Sequence, residues 1–240
     1  MGEIKDTFDR DGYVVVRSAL PMNDIHDWQS AWFTYAQTPR KVEFNPVAVN
    51  GPFPEPLASI YKHPALLDLV EQVFGPDIAL YNHRFVVKDK DSRGPVFLHH
   101  DTPYHIGWPT KLSCFVPLTI VDNNGAMLFW PGTHRYGYLG DAGEIRRDVI
   151  EMKWHSPVLH PGDVVLMHSA CWHESWAHKS GPDRVMVDTI MQPANDPSGI
   201  ELLRGQWRCE PQPWLRGNNI FIRSRSSRLR ELQAIVDAKA

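Results

Sequence analysis

Between Asn23 and Ala36, apolar side chains recur at Ile25, Trp28, Trp32 and Phe33. That spacing is close to the 3.6-residue repeat of a helix with one buried face. A second helix is predicted over Pro64 to Phe74, with Pro near its start and Gly75 just past its end. Ahead of both, Phe8 to Arg17 reads as a helix end, a turn at Gly12 and a strand. From Ile78 onward the period changes. Ala79 to Lys88 reads as a strand, and Leu112, Cys114, Val116, Leu118 and Ile120 alternate along another. Turns at Asp122 to Gly125 and at Pro131-Gly132 bracket a strand over Ala126 to Trp130. Further strands are expected at Val158 to Leu159, Val164 to His168 and Arg184 to Met191. A last helix is expected over Ser227 to Lys239, with Leu229, Leu232, Ile235 and Val236 as its stripe. Helices followed by many short strands predict a mainly β fold, a sandwich or jelly roll flanked by helices.

Composition narrows the class. The chain has 240 residues, 42% of them hydrophobic, enough for one sizeable core. A formal net charge of −3 favours neither nucleic acid nor a membrane surface as partner. The apolar runs are too short to span a bilayer, and the first residues lack the apolar stretch of a signal peptide. Three widely spaced cysteines, Cys114, Cys171 and Cys209, argue against a disulfide framework and for a reducing, cytoplasmic setting. The Arg-rich stretch from Arg216 to Arg230 reads as a solvated face or an anchor onto the core, with an anionic substrate contact as the alternative.

The candidate chemistry begins at Phe97-Leu-His-His-Asp101. In an extended segment, His99 and Asp101 share one face and can reach one ion. Two histidines and a carboxylate leave coordination positions open on a metal, as an oxygenase requires. With 12 histidines in 240 residues, a single His-x-Asp carries little weight alone. Weight comes from Gly162 to Ser175 and from Arg184 beyond it. A 2-oxo diacid chelating a metal projects its far carboxylate, which an Arg fork and a hydroxyl suit. Among the histidines, only His173 has an Arg eleven residues later; Ser175 lies two residues after it. His168, five residues earlier, would face the other side of an extended strand.

These segments resemble the phytanoyl-CoA dioxygenase (PhyH-like) family of iron(II)/2-oxoglutarate-dependent oxygenases. Phe8 to Val16 is similar to the family's entry segment, and Phe97 to Asp101 to its metal-binding His-x-Asp. Asp122 to His134 is similar to its Asn-Gly … Pro-Gly-Ser-His segment, and Gly162 to Arg184 to its distal half. The resemblance implies a double-stranded β-helix (jelly roll, cupin-like) core and one domain over 1–240. Within it, a helical buttress spans about 1–77, the core about 78–195 and a C-terminal extension about 196–240. It implies iron(II) bound by His99, Asp101 and His173, with 2-oxoglutarate and O₂ as co-substrates. It implies that Ser175 and Arg184 hold the far carboxylate of 2-oxoglutarate and that Asn82 faces the site. Glu174 stands where many members have Gly, narrowing the space beside the cofactor. Retention of Asp101 speaks against halogenation, because halogenating members replace that carboxylate.

Arg84, Tyr104, His105, Trp108 and Trp176 are candidate substrate contacts, with packing or solvent exposure the alternative for each. His134 is expected to brace a turn, and Cys171 to pack in the core. The Pro-rich segment 38–56 is either a lid or a packed connection. The expected reaction is hydroxylation of a small or medium-sized metabolite, with natural-product biosynthesis as a setting. Desaturation, epimerisation and ring formation stay open. A jelly-roll metal-binding protein without oxygenase activity is the rival of another class.

Overall fold

The computed structural model describes residues 2–38, 47–139, 143–147, 151–206, 230 and 233–238. In chain order its elements are α1 (Glu3–Asp11), β1 (Tyr13–Val16), α2 (Met22–Tyr35), β2 (Ala48–Asn50), α3 (Pro64–Phe74), β3 (Ile78–Lys88), β4 (Val96–His99), β5 (Leu112–Pro117), β6 (Met127–Trp130), β7 (Val164–His168), β8 (Trp172–Ser175), β9 (Arg184–Pro193) and β10 (Glu201–Arg204). Seven strands form a major sheet in the order β1-β7-β5-β9-β3-β10, with β2 also on β3. Three form a minor sheet, β4-β8-β6. All pairings between these strands are antiparallel.

Alternation along the strands assigns the two faces of the major sheet. Val14, Val87, Cys114, Val116, Val164, Leu166, Val185 and Val187 turn outward, against Phe8, Ile25, Trp28, Trp32 and the apolar face of α3. Their neighbours Tyr13, Phe115, Val165, Met167 and Met186 turn inward, against Met127 and Phe129 of the minor sheet. The cleft between the sheets is thus apolar at one end and lined by polar strand residues at the other. The outer face of the minor sheet has its own cluster of Leu98, Ala126, Leu128, Trp130 and Trp172. Gly12 ends α1 with φ +80 and turns the chain into β1. A side chain there would meet the His134 ring, so both chirality and space call for Gly.

Several elements differ from the sequence reading. β5 stops at Pro117, which has no N–H to extend a ladder, and Ile120 is 55% exposed. Val158 to Leu159 contributes one isolated bridge, Leu159 to Val121, and no strand. Phe33 is 51% exposed, because three large side chains already fill the buried face of α2. β1, β2 and β10 all join the major sheet, so the sheet draws on residues outside 78–195. Of the final helix, residues 233–237 are helical and Ile235 is exposed rather than part of a stripe. Leu229, Leu232, Cys209 and Arg216 lie outside the described residues. Cys114 and Cys171 are free and buried, Cys171 packing in the core as expected.

Candidate active site

β4 and β8 pair so that His99 and His173 are opposite one another, which brings their rings to 4.3 Å between centroids, tilted by 48°. In each ring Nδ1 donates to the carbonyl two residues earlier: His99 to Phe97 at 2.7 Å and His173 to Cys171 at 3.0 Å. That fixes the tautomer and leaves both Nε2 lone pairs facing the cleft. Asp101 is reached differently from the sequence argument. β4 ends at His99, and Asp101 has a helical conformation at the start of a short 3₁₀ turn over Thr102–Tyr104. Its N–H donates to Ser169 O at 2.7 Å. The bend, not strand alternation, brings its Oδ1 to 3.5 Å from His99 Nε2 and 3.8 Å from His173 Nε2. One ligand atom from each of the three residues lies within 4.8 Å of the others, a spacing one metal ion can bridge. Burial pushes His173 down to about 4, with His99 adding to the effect. Burial also opposes the charge on Asp101, yet His173 and His99 hold its carboxyl far below the ordinary range.

The other end of the cleft is cationic. Arg184, the first residue of β9, is 1% exposed and pairs across the sheet with Lys88. Its Nη1 donates to Gly125 O at 3.0 Å, while its Nε is buried without a partner. Among the described residues no carboxylate pairs with it, and burial lowers the guanidinium to about 10. Lys88 is also buried, donating to Gly94 O and Trp176 O; burial, then the charge of Arg184, pushes it down to about 6. Ser175 lies two residues beyond His173 on the same face of β8. The triad, Ser175 and Arg184 line one cleft, together with Val47, Ala48, Arg84, Val86, Phe115, Met186 and Asp188. A buried guanidinium with an unspent N–H, on the same cleft as three side chains that could hold a metal, fits a metal-chelating diacid.

The remaining candidates divide. Arg84 lines the cleft. Asn82 sits one step further along the same face of β3, outside the lining, after a bulge at Tyr81. Tyr104 and His105 lie beside the triad, the Tyr104 ring 6.2 Å from His99 and the His105 ring 5.0 Å from Tyr81, but neither lines the cleft. Trp108 is 46% exposed and only its N–H is engaged, with Asp196; the Gly107 turn carries the side chain into solvent. Trp176 follows Ser175 and therefore points to the opposite face, where it meets Trp154 and donates to Glu174. Glu174 alternates toward that outer face and pairs with Arg147 at 2.5 Å, while still contributing to the cleft lining between His173 and Ser175. His168 and His173 sit on different strands joined by a tight turn, so parity along one strand does not apply to them. His168 is kept from the cleft by its place at the end of β7, where it accepts from the Ala170 N–H and packs on Phe8 and His134. His134 contacts the Asp9 carbonyl and braces the turn. Asp188 is the charged cleft residue the sequence reading missed; it lies two and four residues beyond Met186 and Arg184 on one face of β9, so parity pointed to it.

The likeness to solved structures follows this architecture. The epimerase SnoN from nogalamycin biosynthesis, an α-ketoglutarate-dependent non-haem enzyme, is 20% identical with TM-score 0.70, over 87% of this chain and 97% of that one. EctD from S. alaskensis, crystallised with 2-oxoglutarate and 5-hydroxyectoine, is 19% identical with TM-score 0.70, over 91% and 84%. The carbocyclase SnoK, also from nogalamycin biosynthesis, is 20% identical with TM-score 0.66, over 83% and 87%. At these identities the likeness is one of fold, and the fold is the jelly roll of such oxygenases. The sequence pattern of phytanoyl-CoA dioxygenase (PhyH) matches residues 8–186, and the chain belongs to that family of 2-oxoglutarate-dependent non-haem iron oxygenases.

Proposed function

We propose that the protein hydroxylates an unactivated C–H bond of a small or medium-sized metabolite, releasing succinate and CO₂. Iron(II) is held by His99 Nε2, Asp101 and His173 Nε2, and Arg184 with Ser175 takes the far carboxylate of 2-oxoglutarate. The observation that carries this reading is the buried Arg184 guanidinium with an unpartnered Nε in the same cleft as the triad. A site for metal alone has no use for such a group, and leaving it unpaired costs stability. When bound, iron and 2-oxoglutarate supply the oxidising chemistry from O₂. The chain's residues bind and orient. Phe97 O and Cys171 O keep the two imidazoles neutral and aimed at one point. Arg184 and Ser175 set how far along the cleft a diacid extends. The apolar wall of Phe115, Met127 and Met186 excludes water from the reacting carbon.

SnoN is an epimerase and SnoK a carbocyclase, so a non-hydroxylating outcome on the same scaffold is a second reading. Placement of the substrate carbon relative to the metal decides between them. Anaerobic iron(II) plus 2-oxoglutarate should give a weak visible charge-transfer band. Absence of that band, together with no consumption of 2-oxoglutarate in air, contradicts the oxygenase reading.

A further inference from the structure

Across the cleft from the two histidines, the inner face of the major sheet carries a second charged pair. Arg84 on β3 and Asp188 on β9 are opposite one another in register, and Arg84 Nε donates to Asp188 Oδ2 at 2.7 Å. The Asp188 side chain is fully buried, whereas that of Arg84 is 25% exposed, so the tip of the guanidinium reaches the open side of the cleft. The bond uses one of the five N–H donors of Arg84 and one of the two oxygens of Asp188. Among the described residues the Nη groups of Arg84 meet no acceptor. Asp188 Oδ1 and Ser113 Oγ are both buried, and the Ser113 hydroxyl lies near enough to favour the ionised carboxylate, yet neither atom is in full hydrogen-bond geometry with a described residue. Ser113 lies two residues before Phe115, the residue opposite Asp188 on β5, and so shares its face. A donor pair open to the cleft and a buried carboxylate oxygen with spare acceptor capacity therefore stand side by side, placed to meet one ligand together.

Position separates this pair from the co-substrate. Asp188 is four residues beyond Arg184 on β9, about 13 Å along a strand. A five-carbon diacid spans at most about 6 Å between its end carbons, four C–C bonds of about 1.5 Å. A 2-oxoglutarate anchored on Arg184 would reach toward the triad, and Arg84 with Asp188 lies on the same cleft within the field of Asp101, beside the space where a second ligand would sit.

Building on the oxygenase reading, we infer that Arg84 and Asp188 form the recognition pair for the substrate. The substrate is a carboxylic acid whose carboxylate meets the Nη groups of Arg84 and whose neighbouring hydroxyl or ammonium donates to Asp188 Oδ1. The planar end of a guanidinium takes a carboxylate through two parallel bonds, and the Asp188 partner holds its plane.

The test uses the full chain loaded with nickel(II) and 2-oxoglutarate, which binds without turning over. The probes are 3-phenylpropanoate, its 3-hydroxy derivative and its methyl ester, titrated by calorimetry. The wild type should bind the acid at least about tenfold more tightly than the ester, as a charge-assisted bidentate contact requires, and the hydroxy acid more tightly still. Arg84→Gln alone strands a buried carboxylate, so the double variant Arg84→Gln/Asp188→Asn is the main comparison; it removes both charges together. It should lose the acid-over-ester preference and keep the wild-type Kd for 2-oxoglutarate within about twofold. Equal binding of acid and ester by the wild type, binding of neither, or an unchanged preference in the double variant overturns the recognition pair. A tenfold rise in the 2-oxoglutarate Kd also overturns it, by assigning Arg84 to the co-substrate. Failure of the wild type to bind 2-oxoglutarate at all is a different result, which contradicts the oxygenase reading itself.

Discussion

Lys111 and Arg184 are both buried cations on the major-sheet side of the molecule, and their surroundings are opposites. Lys111 Nζ donates to Asp196 at 2.5 Å, Gln192 at 2.9 Å and Ser198 at 3.1 Å, and its charge lies 4.7 Å from the centre of the Tyr81 ring. Its three N–H donors are thus used within the fold. Arg184 has one carbonyl and an unpartnered Nε. Burying a charge is tolerable when the fold itself completes its bonds; where the fold does not, a ligand does. The first cation ties the turn after β9 to the start of β5. The second, on the proposed function, is a socket for an anion.

Breaking the satisfied end should cost the most stability. Lys111→Met strands the Asp196 carboxylate and should lower unfolding free energy by about 3–5 kcal/mol in urea titration. Where the variant folds, its 2-oxoglutarate Kd should stay near that of the wild type, and a large change would erase the contrast between the two cations. Protonation breaks the same knot more gently. Burial opposes ionisation of Asp196, but Lys111 and the Ser198 N–H hold its carboxyl below the ordinary 3.8. Its folded value is depressed, so its contribution is complete above about pH 4 and is lost as pH falls through the lower folded value. Urea midpoints should therefore drop on the acid side, and the Lys111→Met/Asp196→Asn double variant should show a shallower drop. The smallest effect should come from an exposed cation. Arg147 pairs with Glu174, but its side chain is 48% exposed. Arg147→Ala leaves Glu174 buried but, with its pKa raised by burial, able to protonate, so the loss of stability should be about 1–2 kcal/mol, below that of Lys111→Met, with metal binding intact. A loss of metal would mean that this pair positions His173, which the opposite direction of neighbouring side chains on β8 argues against.

How far the sequence could be read follows the same physics. β3, β7 and β9 were legible because their inward and outward residues alternate cleanly under the helices. Arg184 and His173 were singled out because a metal and a distal carboxylate would require residues of fixed kind in fixed order, and the structure brings both to one cleft. Asp101 was identified, though for an incomplete reason: the 3₁₀ turn that aims it depends on the Ser169 carbonyl, 68 positions away in the chain, a contact no local pattern reveals. Trp108 and Trp176 were left between pocket and packing because an aromatic beside a site in sequence can point either way. The alternation of β8 sends Trp176 outward, and the positive φ of Gly107 turns Trp108 to solvent. Asp188 was missed although the spacing Arg184, Met186, Asp188 puts it on the cleft face, because an acid on a buried strand suggests nothing until its partner Arg84 is seen opposite.

The central claim is that one cleft is built for a metal and a dicarboxylate together. Its most direct test is a paired anaerobic titration of wild type and Arg184→Gln, first with iron(II) and then with 2-oxoglutarate. The account predicts an iron Kd unchanged within about twofold, because that side chain touches no metal ligand, and a 2-oxoglutarate Kd raised roughly 10- to 100-fold, the worth of a charge-assisted hydrogen-bond pair. Equal weakening of both, or no change in either, would contradict it.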